Sequence, residues 1–307
     1  MLEYQLSSEY VSISFDVRFD LSTQLGRCSI GVVRRTFDQL KLGIKLDPDS
    51  RNLYLDDDNS RLEISTVYFR AGYAAEDYAD PSNYITRSLL EQSRAIKCPS
   101  IPLQVAGSKK IQQTLMATPG LLEHFLCDAK TWGKNNIFQK EDLDQLRANW
   151  MEMWGLDDEG EPSNSGGSVT ASATEERFGT RKARQLAPSI VLKPQREGGG
   201  NNVFKDDIPA FLDNLPPEKR AAWIAQGLIT PPKDMGSLLL RSDEETRVAT
   251  KAEVVSELGV FGWNLFHPIR GMKEKEVGWL LRTKSKDVNE GGVAAGFSVL
   301  DSILLVD

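Results

Sequence analysis

Cysteine is scarce in this chain. Only Cys28, Cys98 and Cys127 are present, an odd number with no CxxC spacing. That excludes a disulfide framework and a zinc-ribbon type of metal site, and fits reduced thiols in a cytoplasmic protein. Histidine is scarcer still. His124 and His267 stand far apart in no ligand-like spacing, so both are expected to have structural roles. No apolar run approaches the length of a membrane span, and the opening MLEYQLSSEY has neither the basic nor the apolar region of a signal peptide, so no membrane partner is expected. Positive charge is also in deficit. Lys and Arg number 37 against 44 Asp and Glu, a net charge of −7, which argues against nucleic acid as a partner. No repeat recurs at solenoid spacing.

What remains is the composition of an ordinary globular protein, 40% hydrophobic and 26% charged over 307 residues, enough for two domains. SISFDVRFDLS alternates apolar and polar positions like a short strand, and Gly31-Val32-Val33 reads as a strand leading to a charged turn at Arg34-Arg35. Leu53 to Leu55, the acidic turn Asp56 to Asn59, and Leu62 to Phe69 read as a hairpin ending in one buried strand, ISTVYF. Helical spacing runs from Pro81 to Lys97. Ser108 starts a helix that Pro119-Gly120 stops, and Leu121 to Trp154 is mostly helical by periodicity. Residues 157–174 are polar, Gly/Ser-rich and aperiodic, and are expected to form a flexible insert. Ser189 to Lys193 is a short apolar strand, Asp206 to Gln226 contains an amphipathic helix, and Glu253 to Phe261 and Leu280 to Thr283 are strands. The six tryptophans are expected in the core or at interfaces.

Two stretches carry chemistry. Val191 to Asn202 reads VLKPQREGGGNN, and Leu280 to Gly296 reads LLRTKSKDVNEGGVAAG. Each joins a cation, a run of glycines and an acid, as a polyphosphate and its metal require. Lys193 is a point charge for phosphate oxygens, and Glu197 a hard oxygen ligand for Mg²⁺. Gly198, Gly199 and Gly200 let the backbone approach a phosphate with positive φ, and Asn201 and Asn202 add amide donors. A bare GGG is more often a plain turn, and Arg282 and Lys284 alone would be solvated charges at a strand end. Their neighbours reverse that weighting.

VLKPQREGGGNN, LLRTK and EGGVAAG resemble the phosphate-binding and glycine-rich loops of eukaryotic glutathione synthetase, a member of the ATP-grasp superfamily. VVRRTF (Val32 to Phe37), VYFRAGY (Val67 to Tyr73), SRAIKCPSI (Ser93 to Ile101), GSKKIQQ (Gly107 to Gln113) and SELGVFG (Ser256 to Gly262) follow the family in the same order. The resemblance runs from about Val32 to Ser302. It implies an α/β fold. An ATP-grasp domain over 106–307 would carry glycine-rich lid loops near 198–202 and 290–296, beside a smaller α/β substrate-binding domain over 1–105, of which 1–31 matches poorly. It implies ligation of γ-glutamylcysteine to glycine through an acyl phosphate, with ATP as co-substrate, Mg²⁺ as cofactor, and a homodimer. By resemblance, Lys109 or Lys110, Lys193, Gly198 to Asn202, Phe204, the hinge Gln226-Gly227-Leu228-Ile229, Glu257 and Lys284 contact the nucleotide. Glu197 ligates the metal, Arg282 holds a substrate carboxylate, and Lys193 and Arg282 serve the chemistry. Arg70, Tyr73, Glu290, Val293 and Ala294 hold the dipeptide and glycine.

The chain departs from the family in three places. The family's other two Mg²⁺ ligands and a substrate-binding arginine belong to an amino-terminal portion with no counterpart here. SISFDVR stands where ERNIFDQ is expected, keeping only Phe15-Asp16. The hinge has Gln-Gly-Leu in place of Met-Glu-Lys. A second reading is therefore a truncated, non-catalytic remnant that binds nucleotide or a full-length partner. A third is an ATP-grasp ligase for another small carboxylate.

Overall fold

The structure is a computed structural model of the chain. It describes residues 11–16, 30–57, 60–78, 80–127, 138–160, 176–195, 200–231, 236–239, 250–267, 269–289, 291, 293 and 298–303. The chain divides into two compact units. The first holds Met1–Gly155, Lys193–Glu197 and Ala221–Ile224, and the second holds Leu156–Leu192, Gly198–Arg220 and Ala225–Asp307. Elements are mixed helix and strand, as expected.

The first unit opens with β1 (Val11–Asp16), β2 (Ile30–Arg35), α1 (Phe37–Gly43), β3 (Ile44–Leu46), β4 (Leu53–Asp57), β5 (Ser60–Ile64), β6 (Thr66–Phe69), α2 (Pro81–Gln92) and β7 (Ile96–Cys98). Strands β2-β1-β6-β7 form one sheet, antiparallel except that β6 and β7 run parallel across the α2 crossover. Strands β3-β4-β5 form an antiparallel meander. ISTVYF is two strands, not the single one expected. Ile64 and Val67 are both buried in the same core, although three residues apart. On one continuous strand they would face opposite sides. The break at Ser65 turns both inward, and hands the chain from the meander to the sheet.

Sequence signals set the helix ends. Thr36 caps α1 in a capping box with Gln39, and Asp80 caps α2 ahead of Pro81. Helix α2 stops at Gln92, short of the expected Lys97, because Ile96 already belongs to β7. The core of this part packs Phe37, Leu40, Leu53, Leu55, Ile64, Val67, Phe69 and Leu90. Leu40, Leu53 and Leu90 are wholly excluded from solvent, so truncating any one to Ala costs about 2–5 kcal/mol.

Next come α3 (Ile101–Ala106), α4 (Lys109–Ala117), α5 (Leu121–Cys127), α6 (Lys140–Ala148) and β8 (Met153–Gly155). Helix α4 begins at its predicted cap, Ser108, whose hydroxyl accepts from the Ile111 N–H, and it ends before Pro119. The segment expected to stay helical to Trp154 is strand from Met153. Met153, Trp154 and Gly155 are all buried, a continuous run that suits a strand covered on both faces better than one stripe of a helix.

The second unit contains α7 (Phe178–Gln185), most of β9 (Ile190–Pro194), β10 (Val203–Phe204), α8 (Asp207–Asn214), the end of β11 (Trp223–Gly227), β12 (Gly236–Leu239), β13 (Thr250–His267), β14 (Gly271–Ser285) and β15 (Val299–Asp301). Ile190, Val191 and Leu192 on β9 are all buried, and Ala183, Ile208 and Leu212 from α7 and α8 are buried in the same unit. Arg184 on α7 pairs with Asp213 on α8 at 2.8 Å and with Glu176 at 3.0 Å.

Strands β12-β13-β14-β15 form an antiparallel sheet. The β13–β14 hairpin is far longer than the two strands expected, because its ladder continues past Phe261 through exposed residues to His267 opposite Gly271. His267 fixes its turn, as a structural histidine would. Its Nδ1 accepts from the Ile269 N–H at 3.1 Å and the Arg270 N–H at 3.2 Å. Trp154 is buried, whereas Trp263 and Trp279 on the hairpin are exposed. Among the described residues no helix is long and apolar enough to cross a membrane. Cys98 and Cys127 are free thiols. Residues 161–174 of the expected insert lie outside the described residues.

Candidate functional site

β9 and β10 pair antiparallel, Val203 opposite Leu192 and Phe204 opposite Val191, and of the motif residues between these strands the structure describes 195 and 200–202. Lys193 lies near the end of β9, half-buried. Gly200 has φ +85°, the left-handed conformation that a glycine adopts freely, and a Cβ built on it would meet nothing within 4 Å. Asn201 is exposed and Asn202 and Phe204 half-buried. Glu197, Gly198 and Gly199 lie outside the described residues.

Within the first unit, the start of this loop is tied to α4. The Gln195 side-chain oxygen accepts the backbone N–H of Lys110 at 3.2 Å, and the Gln195 N–H donates to the Ala222 carbonyl at 3.2 Å. Gln195 thus meets the GSKKIQQ segment in the first turn of α4, where Gln195 takes the Lys110 N–H and Ser108 the Ile111 N–H. Lys109 donates to Gln112 at 3.4 Å. Gln195 was not singled out in the sequence, although it sits inside the motif.

The second motif builds a tighter group in the second unit. Glu257 on β13 stands opposite Arg282 on β14. The Arg282 guanidinium donates to Glu257 Oε2 at 2.6 Å, and Lys284 Nζ lies 3.8 Å from Glu257 Oε1. Lys284 also donates to the Asn289 carbonyl at 3.0 Å, which fixes the start of the glycine loop. The loop backbone passes close over the acid. A Cβ on Gly291 would lie 3.3 Å from Glu257 Oε1 and 3.6 Å from Ser298 Oγ. Behind this face, Thr283 is buried and donates to Asp301 at 2.7 Å, with the Ser256 hydroxyl 2.8 Å away, which anchors β15 beyond the loop. Val293 is exposed. Glu290 and Ala294 lie outside the described residues. The sequence pointed to Glu257, Arg282 and Lys284 separately. The structure brings them together, two cations sharing one carboxylate.

The remaining predicted residues are placed as follows. In the second unit the hinge residue Gln226 has its side-chain oxygen buried with no partner, and the Leu228 N–H donates to the Ser189 carbonyl at 2.9 Å. Gly227 is half-buried and Ile229 exposed. In the first unit Arg70 is exposed at the end of β6, and the Tyr73 hydroxyl donates to the Phe69 carbonyl. For Mg²⁺ the fit is poor among the described residues: none of them form a group of three or more His, Cys, Asp or Glu able to hold a metal. Mg²⁺ wants several oxygen ligands in octahedral array, which these residues do not supply.

These two units define a mixed α/β protein with two glycine loops, each flanked by lysine or arginine. The sequence pattern of "Eukaryotic glutathione synthase, ATP binding domain" matches residues 22–305. The chain belongs to that family. It is 40% identical over 247 residues to the chloroplastic glutathione synthetase of Solanum lycopersicum, covering 79% of this chain and 39% of that protein. It is 38% identical over 290 residues to the glutathione synthetase of Homo sapiens, covering 94% of this chain and 53% of the relative. The chain therefore spans about half or less of the length of these relatives. A solved glutathione synthetase-like effector from Globodera pallida in apo form aligns with a TM-score of 0.49 at 19% identity, covering 89% of this chain and 48% of that one.

Proposed function

We propose that the chain serves the ATP-dependent joining of γ-glutamylcysteine to glycine. The γ-phosphate of ATP passes to the dipeptide carboxylate, the glycine amine attacks the acyl phosphate, and glutathione, ADP and phosphate leave. The observation that carries this reading is the Glu257–Arg282–Lys284 group beneath Gly291. Arg282 offers a planar donor fork to a carboxylate and Lys284 a point charge to a phosphate, and Glu257 holds both until those anions arrive. Family membership supports the same reading. The relatives are glutathione synthetases, and the family resemblance implies ATP, γ-glutamylcysteine and glycine as substrates.

In this reading Lys109, Lys110, Lys193, Gly198 to Asn202, Phe204, Gln226 to Ile229, Glu257 and Lys284 hold the nucleotide. Arg70, Tyr73, Arg282, Glu290, Val293 and Ala294 hold the other substrates. The loops at 198–202 and 290–296 act as lids that keep water from the acyl phosphate. By the family resemblance Mg²⁺ is the cofactor and Glu197 one of its ligands. We assign the substrate-binding function to 1–105 and the ATP-grasp function to 106–307, in a cytoplasmic homodimer. We prefer this to a non-catalytic remnant because the cluster on β13 and β14 is intact.

The test is ADP release dependent on both γ-glutamylcysteine and glycine, beside calorimetric ATP binding. Turnover that falls by about 100-fold or more in Lys193→Ala, with folding retained, is expected for loss of one good electrostatic contact. ATP binding without dipeptide-dependent turnover would favour the remnant.

A further inference from the structure

The turn that presents Arg70 and Tyr73 is built around one carboxylate. Asp77 Oδ2 accepts three consecutive backbone N–H groups, from Gly72 at 2.9 Å, Tyr73 at 2.9 Å and Ala74 at 3.1 Å. Its own N–H returns to the Ala74 carbonyl at 3.1 Å. The opposite side of the turn is also held. The Gly72 carbonyl accepts from the Tyr78 hydroxyl at 3.1 Å and from the Gln104 side-chain amide at 2.8 Å. Gly72 has φ +85°, and a Cβ there would lie 2.8 Å from the Tyr78 hydroxyl. The three successive N–H groups from Gly72 to Ala74 are all used by Asp77.

Three N–H groups converging on one oxygen form an anion-binding nest, and here the anion is supplied from within the loop. Asp77 is half-buried, and its Oδ2 is fully used by those donors. It is therefore not the group that would meet a ligand. In the ligase reading that role falls to the side chains of Arg70, which precedes the nest, and Tyr73, whose N–H is its middle donor. We propose that Asp77 is a positioning residue that pre-forms the Arg70–Tyr73 turn for the γ-glutamylcysteine dipeptide. This rests on the ligase reading above.

Removal of the carboxylate releases the three N–H groups and lets the turn relax, so ordering it again is charged to dipeptide binding. Asp77→Asn keeps an oxygen at the same place and should restore the turn. Steady-state kinetics on the full chain should show KM for γ-glutamylcysteine rising about tenfold or more in Asp77→Ala, with KM for ATP within about twofold of the parent, and most of the loss recovered in Asp77→Asn. Hydrogen exchange of the peptide covering 70–78 should speed up in Asp77→Ala alone. Faster exchange with an unchanged KM for the dipeptide would overturn the positioning role while leaving the ligase reading intact. An equal rise in both KM values, or no rescue by Asn, would also overturn it. If the parent chain shows no dipeptide-dependent turnover, the ligase reading fails, and this role falls with it.

Discussion

Arg282 donates to Glu257 at 2.6 Å across the β13–β14 ladder, and Lys284 approaches the other oxygen of the same carboxylate at 3.8 Å. The side chains of Arg282 and Glu257 are each 40% exposed, so the pair is screened by water and contributes little to stability, about 0–1 kcal/mol. Its value lies in holding the guanidinium against Glu257 on the neighbouring strand while no ligand is bound. A substrate carboxylate would exchange with Glu257 on that fork.

Arg282→Lys is therefore expected to separate function from stability. Lysine keeps the charge and loses the planar fork, so a bidentate contact becomes a single one. The loss should be about 10- to 100-fold in kcat/KM for the carboxylate substrate, the worth of one charge-assisted hydrogen bond. The melting midpoint should move by no more than about 2 °C. Kinetics and a thermal melt on the same preparation check both. A large fall in midpoint with the same fall in activity would show that Arg282 serves the fold.

Parts of this arrangement were legible in the sequence, and parts were not. Pro81, Ser108 and Pro119 mark helix ends by local chemistry, and the structure has those ends. The strand at Ser189 to Lys193 was visible as a continuous apolar run. The split of ISTVYF at Ser65 was not, because which sheet each half joins depends on partners far along the chain. The length of the hairpin was missed for a related reason. Its outer part, with Val260, Trp263 and Trp279 exposed, lacks the buried face that makes a strand stand out. Arg282, Lys284 and Glu257 were each named from motif resemblance, yet their shared hydrogen bonding follows from the register that sets Glu257 opposite Arg282. Asp77 had no sequence signal beyond its type, since a carboxylate that serves its own loop looks the same as a solvated one.

Arg87 offers a test of packing against charge. It is 3% exposed, its guanidinium carbon lies 3.5 Å above the centre of the Phe69 ring, and its Nη2 donates to the Pro99 carbonyl at 3.3 Å. Its Nε and Nη1 are buried without a hydrogen-bond partner, and Glu91 Oε2 is 3.8 Å from Nη2. Desolvation lowers its pKa below the ordinary arginine value. A charge held this way gains little from its partners, so the stem and the stacked plane carry the stabilisation. Arg87→Met, which fills most of the volume, should cost no more than about 1–2 kcal/mol, and Arg87→Ala about 3 kcal/mol or more from the cavity. Urea unfolding of the two variants checks it. Equal losses would mean that the cation, through Glu91 and Pro99, is what the core needs.

The acid limb of stability should show the cap of α2. Asp80 Oδ1 accepts the Ser82 N–H and the Ser82 hydroxyl, both at 2.8 Å, and Asp80 Oδ2 lies 3.4 Å from Lys41 Nζ. The Ser82 backbone N–H, the Ser82 hydroxyl and Lys41 hold the Asp80 carboxyl below its ordinary value, in that order of weight. A carboxyl whose folded pKa is depressed contributes stability above its unfolded pKa of about 3.9, and that contribution is lost as pH falls through the lower folded value. Asp80→Asn retains a good N-cap acceptor and cannot titrate. Near pH 7 its melting midpoint should stay close to that of the parent. Below about pH 4 the parent should lose this contribution while the variant does not, so their difference should move in favour of Asn. Thermal melts from pH 7 down to pH 2.5 read the difference directly. A constant offset across the whole range would show that the Asp80 charge plays no part, and that the cap works through its hydrogen bonds alone.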